Sequence, residues 1–260
     1  LQALSVRGLH PSLLAALLLA GITMSGRLAQ ADGLHVSESV SGMEYATPEG
    51  QKVDLLVLAT TARVSRGRAG LSFTVPEVWI SGGSIALADE TYAITNGPRS
   101  SRFGLGDMQG QLDYNIIQNR EHMFILTAST TLQFPTASTA LAIGTGEYVW
   151  GVGLSAAYGI TRKLIAFADA REGWVAVLTP LAERIQSADL GAVYWLTDKF
   201  GVNASLLGAD YAGRVPPSLE LNAGVSAELF PGFMANLGGI GGLAGSAPQF
   251  GLAAGFGFEI

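Results

Sequence analysis

Three histidines, His10, His35 and His122, are all the imidazole that this 260-residue chain offers, and it holds no cysteine. Hydrolytic chemistry needs a base held against a nucleophile, and zinc needs imidazole or thiolate ligands at fixed spacing. His10 falls in an apolar leader, His35 has no clear partner in the sequence, and His122 sits beside Asn119, Arg120 and Glu121 in a polar turn. Neither a Gly-x-Ser-x-Gly elbow nor a His-Glu-x-x-His motif occurs. Gly239, Gly241 and Ala244 spell a dinucleotide pattern, but that motif works only with a following helix inside a unit of about 30 residues, and barely half that length follows. Those glycines read instead as small residues on a bent strand. The residue types therefore point away from an enzyme, a cofactor and a metal.

Composition narrows the class further. The chain is 48% hydrophobic and 14% charged, with 34 glycines, where a soluble domain carries about 25% charged residues. Disorder needs the opposite balance. A net charge of -6 offers no basic field for nucleic acid.

Arg7 and His10 precede the apolar stretch Leu13 to Met24, and Ala29-Gln30-Ala31 is a small-x-small cleavage pattern. Residues 1–31 read as a secretory signal and 32–260 as the exported domain. No later apolar stretch reaches the roughly 20 residues of a spanning helix.

Hydropathy follows a period of two instead. From Asp107 to Ile116, Asp107, Gln109, Gln111, Asp113 and Asn115 alternate with Met108, Gly110, Leu112, Tyr114 and Ile116. Similar alternation runs through Phe124–Phe134, Tyr148–Ile160, Ser218–Leu229 and Gln249–Ile260. Successive strand side chains point to opposite faces, so each segment separates an apolar face from a small and polar one. The segments run about 10 to 13 residues against about 5 to 6 for ordinary strands, and their apolar faces end in aromatics such as Phe124, Tyr148, Tyr158 and Phe258. This pattern predicts an all-β fold, a transmembrane antiparallel up-and-down barrel, lipid outside and polar inside.

Twelve strands are predicted, near 35–46, 53–64, 69–79, 104–117, 122–134, 147–160, 163–171, 188–197, 200–210, 217–229, 233–241 and 248–260. The first three and the seventh have the least regular phase. Short connections alternate with long ones, notably 80–103, 135–146 and 172–187, as periplasmic turns alternate with external loops.

Gly104-Leu105-Gly106-Asp107 opening a strand to Tyr114, then Phe134-Pro135-Thr136, then Gly144-Thr145-Gly146, resembles the outer-membrane family of the MetA pathway of phenol degradation. Phe167-Ala168-Asp169 and Leu196-Thr197-Asp198-Lys199 fit the same pattern, and the likeness runs in order from Val53 to Ile260. It implies a transport barrel in the outer membrane of a Gram-negative bacterium.

The phase places Asp107, Gln109, Gln111, Asp113, Asn115, Glu147, Asp169, Arg171, Glu220, Asn222, Glu228 and Glu259 toward the lumen. They would make an acid-lined path that repels anions, or a plugged lumen whose acids pair with Arg63 and Arg171. Trp79 and Tyr92, assigned to the long external segment, would form an apolar cup for solute together with Ile80, Ile85, Leu87 and Ile94. The expected function is passive passage of a small hydrophobic or neutral solute, aromatic ones included, with outer-membrane lipid as the surrounding partner. The alternative is a structural or surface-interaction barrel with a closed lumen; an outer-membrane hydrolase comes third.

Overall fold

The computed structural model describes residues 33–47, 50–88, 91–95, 100–119, 121–141, 143–144, 146–176, 183–210 and 216–259. The expected secretory signal, residues 1–31, lies outside them. Among the described residues fifteen strands run in chain order: β1 (Gly33–Ala46), β2 (Lys52–Arg66), β3 (Ala69–Ser81), β4 (Ser84–Ala88), β5 (Thr91–Thr95), β6 (Ser101–Leu105), β7 (Met108–Asn119) and β8 (Phe124–Phe134), then β9 (Tyr148–Gly159), β10 (Leu164–Ala176), β11 (Glu183–Trp195), β12 (Phe200–Asp210), β13 (Ser218–Phe230), β14 (Phe233–Gly245) and β15 (Phe250–Glu259).

Neighbours pair antiparallel around the ring β1-β2-β3-β7-β8 and onward to β15, and β15 closes on β1 through pairs such as His35↔Glu259 and Val40↔Ala254. Twelve strands make this wall, because β6 stacks above β7 on the same neighbour β3, and β4 and β5 form a separate hairpin. The two wall halves meet at an irregularity. Thr74 pairs with Gln109 and Glu77 with Leu105, so two residues of β3 face three residues, 106–108, of the other strand. That is a one-residue bulge. It sits opposite Pro76, which has no N–H to give, and the Pro76 carbonyl accepts from the Gly106 N–H at 2.8 Å.

The turns at the end expected to be periplasmic are tight and chemically specified. Thr161 and Thr197 each use a side-chain hydroxyl to accept the two N–H groups that follow, Lys163 and Leu164 in one turn and Lys199 and Phe200 in the other. Two predicted ends move. β10 continues to Ala176 and β11 begins at Glu183, five residues beyond and before the expected limits. Glu172 and Arg184, both inside the expected loop, form an ion pair on the outer face. Likewise β3 runs on to Ser81, and the segment after it carries β4, β5 and β6 rather than one long loop.

Outside, leucines and aromatics stand in the open, among them Leu71, Leu112, Leu154, Leu190 and Leu206. Trp150 stacks on Trp174 at 4.2 Å toward the external end, and Phe230, Phe233 and Phe256 stack in series toward the periplasmic end. Such a belt between two aromatic girdles is the surface of a membrane barrel. Glu38 and Glu77 interrupt it on the outward phase of β1 and β3, flanked by Val36, Val40, Val75 and Trp79. A carboxylate there opposes the lipid, so Glu38→Leu is expected to raise the urea midpoint of the vesicle-folded barrel; a lowered midpoint would place Glu38 outside the apolar layer.

Candidate functional site

Inward side chains divide the lumen into two unlike walls. On β1, β2, β3 and β14, Met43, Tyr45, Val53, Leu55, Val57, Val78, Ile80 and Ile240 form one packed apolar cluster at the external end. Val53, Leu55, Val78 and Ile80 are no more than 2% exposed. Ile143 completes the cluster and Leu141 packs against it, both from the connection between β8 and β9. That connection folds into the barrel rather than away from it.

Its docking follows from the bulge. The Asp107 carboxylate, 1% exposed, accepts the Ala137 N–H at 2.9 Å and the Gln133 side-chain amide at 3.1 Å. The Thr136 hydroxyl donates to the Gly106 carbonyl at 2.9 Å and takes the Met108 N–H at 2.8 Å. Gly144 then turns the chain back at φ +92°, where a Cβ would collide with Ala137 and with the Asp107 carboxylate. Asp107 is therefore not a free lining charge, as its strand phase predicts, because the bulge takes it out of the ladder and its oxygens are used by the folded-in segment.

The opposite wall is open and mixes small apolar with polar and charged side chains. A cavity of about 710 Å³ lies against β9 to β13, with Gly153, Arg171, Ser187, Ala209 and Ser218 as its inward-phase lining. Toward the periplasm the next register row carries Asp169, Asp189 and Glu220, with Leu207 between the last two. Arg171 donates through Nε to Asp169 at 2.8 Å. Asn222 and Ser205 are register partners one row further on.

Near the periplasmic end Arg63 of β2 reaches across β3 to Asp113 of β7 at 2.6 Å. The crossing needs Gly70 on β3, because a Cβ there would stand 2.6 Å from the guanidinium and 2.7 Å from the carboxylate. Beside this pair Thr127 donates to Asn115 at 2.7 Å, and the register sets His35 between Glu259 and Arg63. Gln109 and Gln111 share the inward phase of β7, and Glu228 that of β13. Glu147 precedes β9 at the external rim and is not a strand residue.

The two aromatic candidates are not together. Trp79 belongs to β3, pairs with Leu56 and Phe103, and alternates with buried Val78 and Ile80, so its phase is the lipid-facing one. Tyr92 lies on β5 of the separate hairpin. The lipid-facing phase of Trp79 takes it out of such a cup. An apolar surface does exist on the inner wall, and of the residues expected in the cup Ile80 belongs to it, while the other wall residues of that cluster were not anticipated. Asp189 was missed too, although its position in the alternation of β11 could have revealed it. His122 is in an exposed turn, where its backbone N–H donates to Asn119.

No family model matches the sequence, and no curated protein matches it. Solved structures do. An outer-membrane channel from Pseudomonas putida F1 superposes with TM-score 0.68 at 14% identity, over 89% of this chain and 97% of that one. The NanC porin gives TM-score 0.55 at 12% identity over 87% and 100%. The translocator domain of the autotransporter NalP from Neisseria meningitidis gives 0.56 at 11% identity over 89% and 90%. The fold is thus that of outer-membrane barrels.

Asp113 is 3% exposed while Arg63 is about a third exposed. Removing the cation alone strands a buried carboxylate. Arg63→Gln is expected to cost about 2 kcal/mol in urea unfolding from vesicles, below the full buried-pair loss because solvent reaches the guanidinium. Adding Asp113→Asn should recover most of it; a neutral Arg63→Gln would show that the pair carries no weight.

Proposed function

We propose that this chain is a passive outer-membrane channel for small hydrophobic or neutral solutes, aromatic ones included, and that it belongs with the MetA-pathway family its motifs resemble. The carrying observation is the division of the lumen: an apolar cluster on β1–β3 and β14 stands apart from an open cavity against β9–β13, which Arg171 lines and which the acids Asp169, Asp189 and Glu220 border in the next register row. Such a conduit suits a solute with an apolar body and a polar tip, since neither part is left against an unlike surface. The Pseudomonas putida neighbour is by its name an outer-membrane channel and NanC a porin, which favours passage over catalysis.

The inward-folded segment between β8 and β9 favours a second reading, a barrel with a closed lumen. Current decides between them. Purified barrel in a planar bilayer under a salt gradient is expected to show discrete steps with a cation-biased reversal potential, because Asp169, Asp189, Glu220, Glu228 and Glu259 outnumber the inward cations. Asp189→Asn with Glu220→Gln should reduce that bias. A folded barrel that passes neither current nor a small aromatic alcohol would establish the closed reading.

A further inference from the structure

We infer that the inner-wall cluster of β1–β3 and β14 is the channel's binding site for an apolar solute, and that the chain's own Leu141 and Ile143 occupy it as a tethered ligand, latched by Asp107. The inference deepens the channel reading and rests on it for the solute, but the occupancy stands on contacts alone. Eight wall side chains form a surface that no strand-to-strand packing requires, since the barrel is closed by its hydrogen bonds. Ile143, 1% exposed, covers that surface.

The same two side chains lie over Gly104, where a Cβ would stand 3.2 Å from Leu141 Cδ1 and 3.4 Å from Ile143 Cδ1. An isoleucine tip and a leucine tip present branched hydrocarbon about the size of a small aromatic ring, so the class of ligand follows from what now fills the place.

What holds them there is polar and separate from the wall. Asp107 grips the Ala137 N–H, Thr136 bridges Gly106 and Met108, and both groups belong to the bulge rather than to the apolar cluster. A latch of hydrogen bonds and an occupant of hydrocarbon respond to different substitutions. Asp107→Asn keeps the shape but removes the charge. Leu141→Ser with Ile143→Ser keeps the latch but removes the occupant.

The chain has no cysteine, so Val78→Cys makes one thiol, on a cluster residue 2% exposed and paired with Gly104. Its labelling by a small methanethiosulfonate reagent, in barrel folded into phosphatidylcholine vesicles, reports access to the site without any transport. Labelling is expected to quicken by about tenfold when Asp107→Asn is added, the scale of exchanging a charged for a neutral hydrogen-bond acceptor. The double serine variant should quicken it likewise. Benzyl alcohol should then slow labelling in both released backgrounds.

Equal rates with and without release would overturn the tethered occupant. Faster labelling that benzyl alcohol leaves unchanged would overturn the solute site. Because neither readout uses flux, a barrel that behaves as expected here yet passes no aromatic alcohol would count against the channel reading alone.

Discussion

Closure of the hydrogen-bond ladder between β15 and β1 is the constraint from which the other features follow. In lipid an unpaired backbone N–H or carbonyl has no water to turn to, so a sheet there survives only without edges. Once the ring is shut, each strand must write two surfaces at once, one residue for lipid and the next for the lumen. Leu190 beside Asp189 and Leu112 beside Asp113 are the direct expression of that demand: leucine open to lipid, carboxylate buried inside.

The ladder tolerates several register faults, on β7, β13 and β14 as well as β3, and the one at β3 is well placed. Pro76 cannot donate, and opposite it the chain spends an extra residue at Gly106–Asp107. A regular strand would have aimed Asp107 into the lumen as one more lining acid. The bulge instead presents its carboxylate, together with the Gly106 carbonyl and the Met108 N–H, as a docking edge for Thr136 and Ala137. The connection between β8 and β9 thereby becomes part of the lumen. An irregularity forced by backbone chemistry on β3 decides how the external mouth is filled.

Much of the barrel was legible because lipid imposes its signal along the chain itself. Where the lumen is polar, as along β7, β8, β9, β13 and β15, the alternation of Phe124, Leu126 and Leu132 with Thr127, Ser129 and Thr131 reads directly as outside and inside. The phase blurs in β1 and β2 for a physical reason: Val53, Leu55 and Val57 line an apolar interior while Leu56 and Leu58 meet lipid, so both faces are hydrocarbon and a period of two has nothing to separate. β10 and β11 run five residues past the expected limits, and there Glu172 and Arg184 neutralise each other across the strands. A pattern scored one residue at a time carries no information about such a pair.

The sequence by itself determined the strand number, the inward and outward phase of most of the wall, and the alternation of short and long connections. Each of these depends on local periodicity and turn chemistry. Only the tertiary structure decided which side chains meet: Arg63 with Asp113 over Gly70, Asp107 with Ala137, and Ile143 with a wall built from four strands. Those partners lie 30 to 50 residues apart in two of the cases, and the contacts exist because barrel closure fixes the register that carries them across the lumen. Periodicity says which way a residue points. What it finds there is set by the ring.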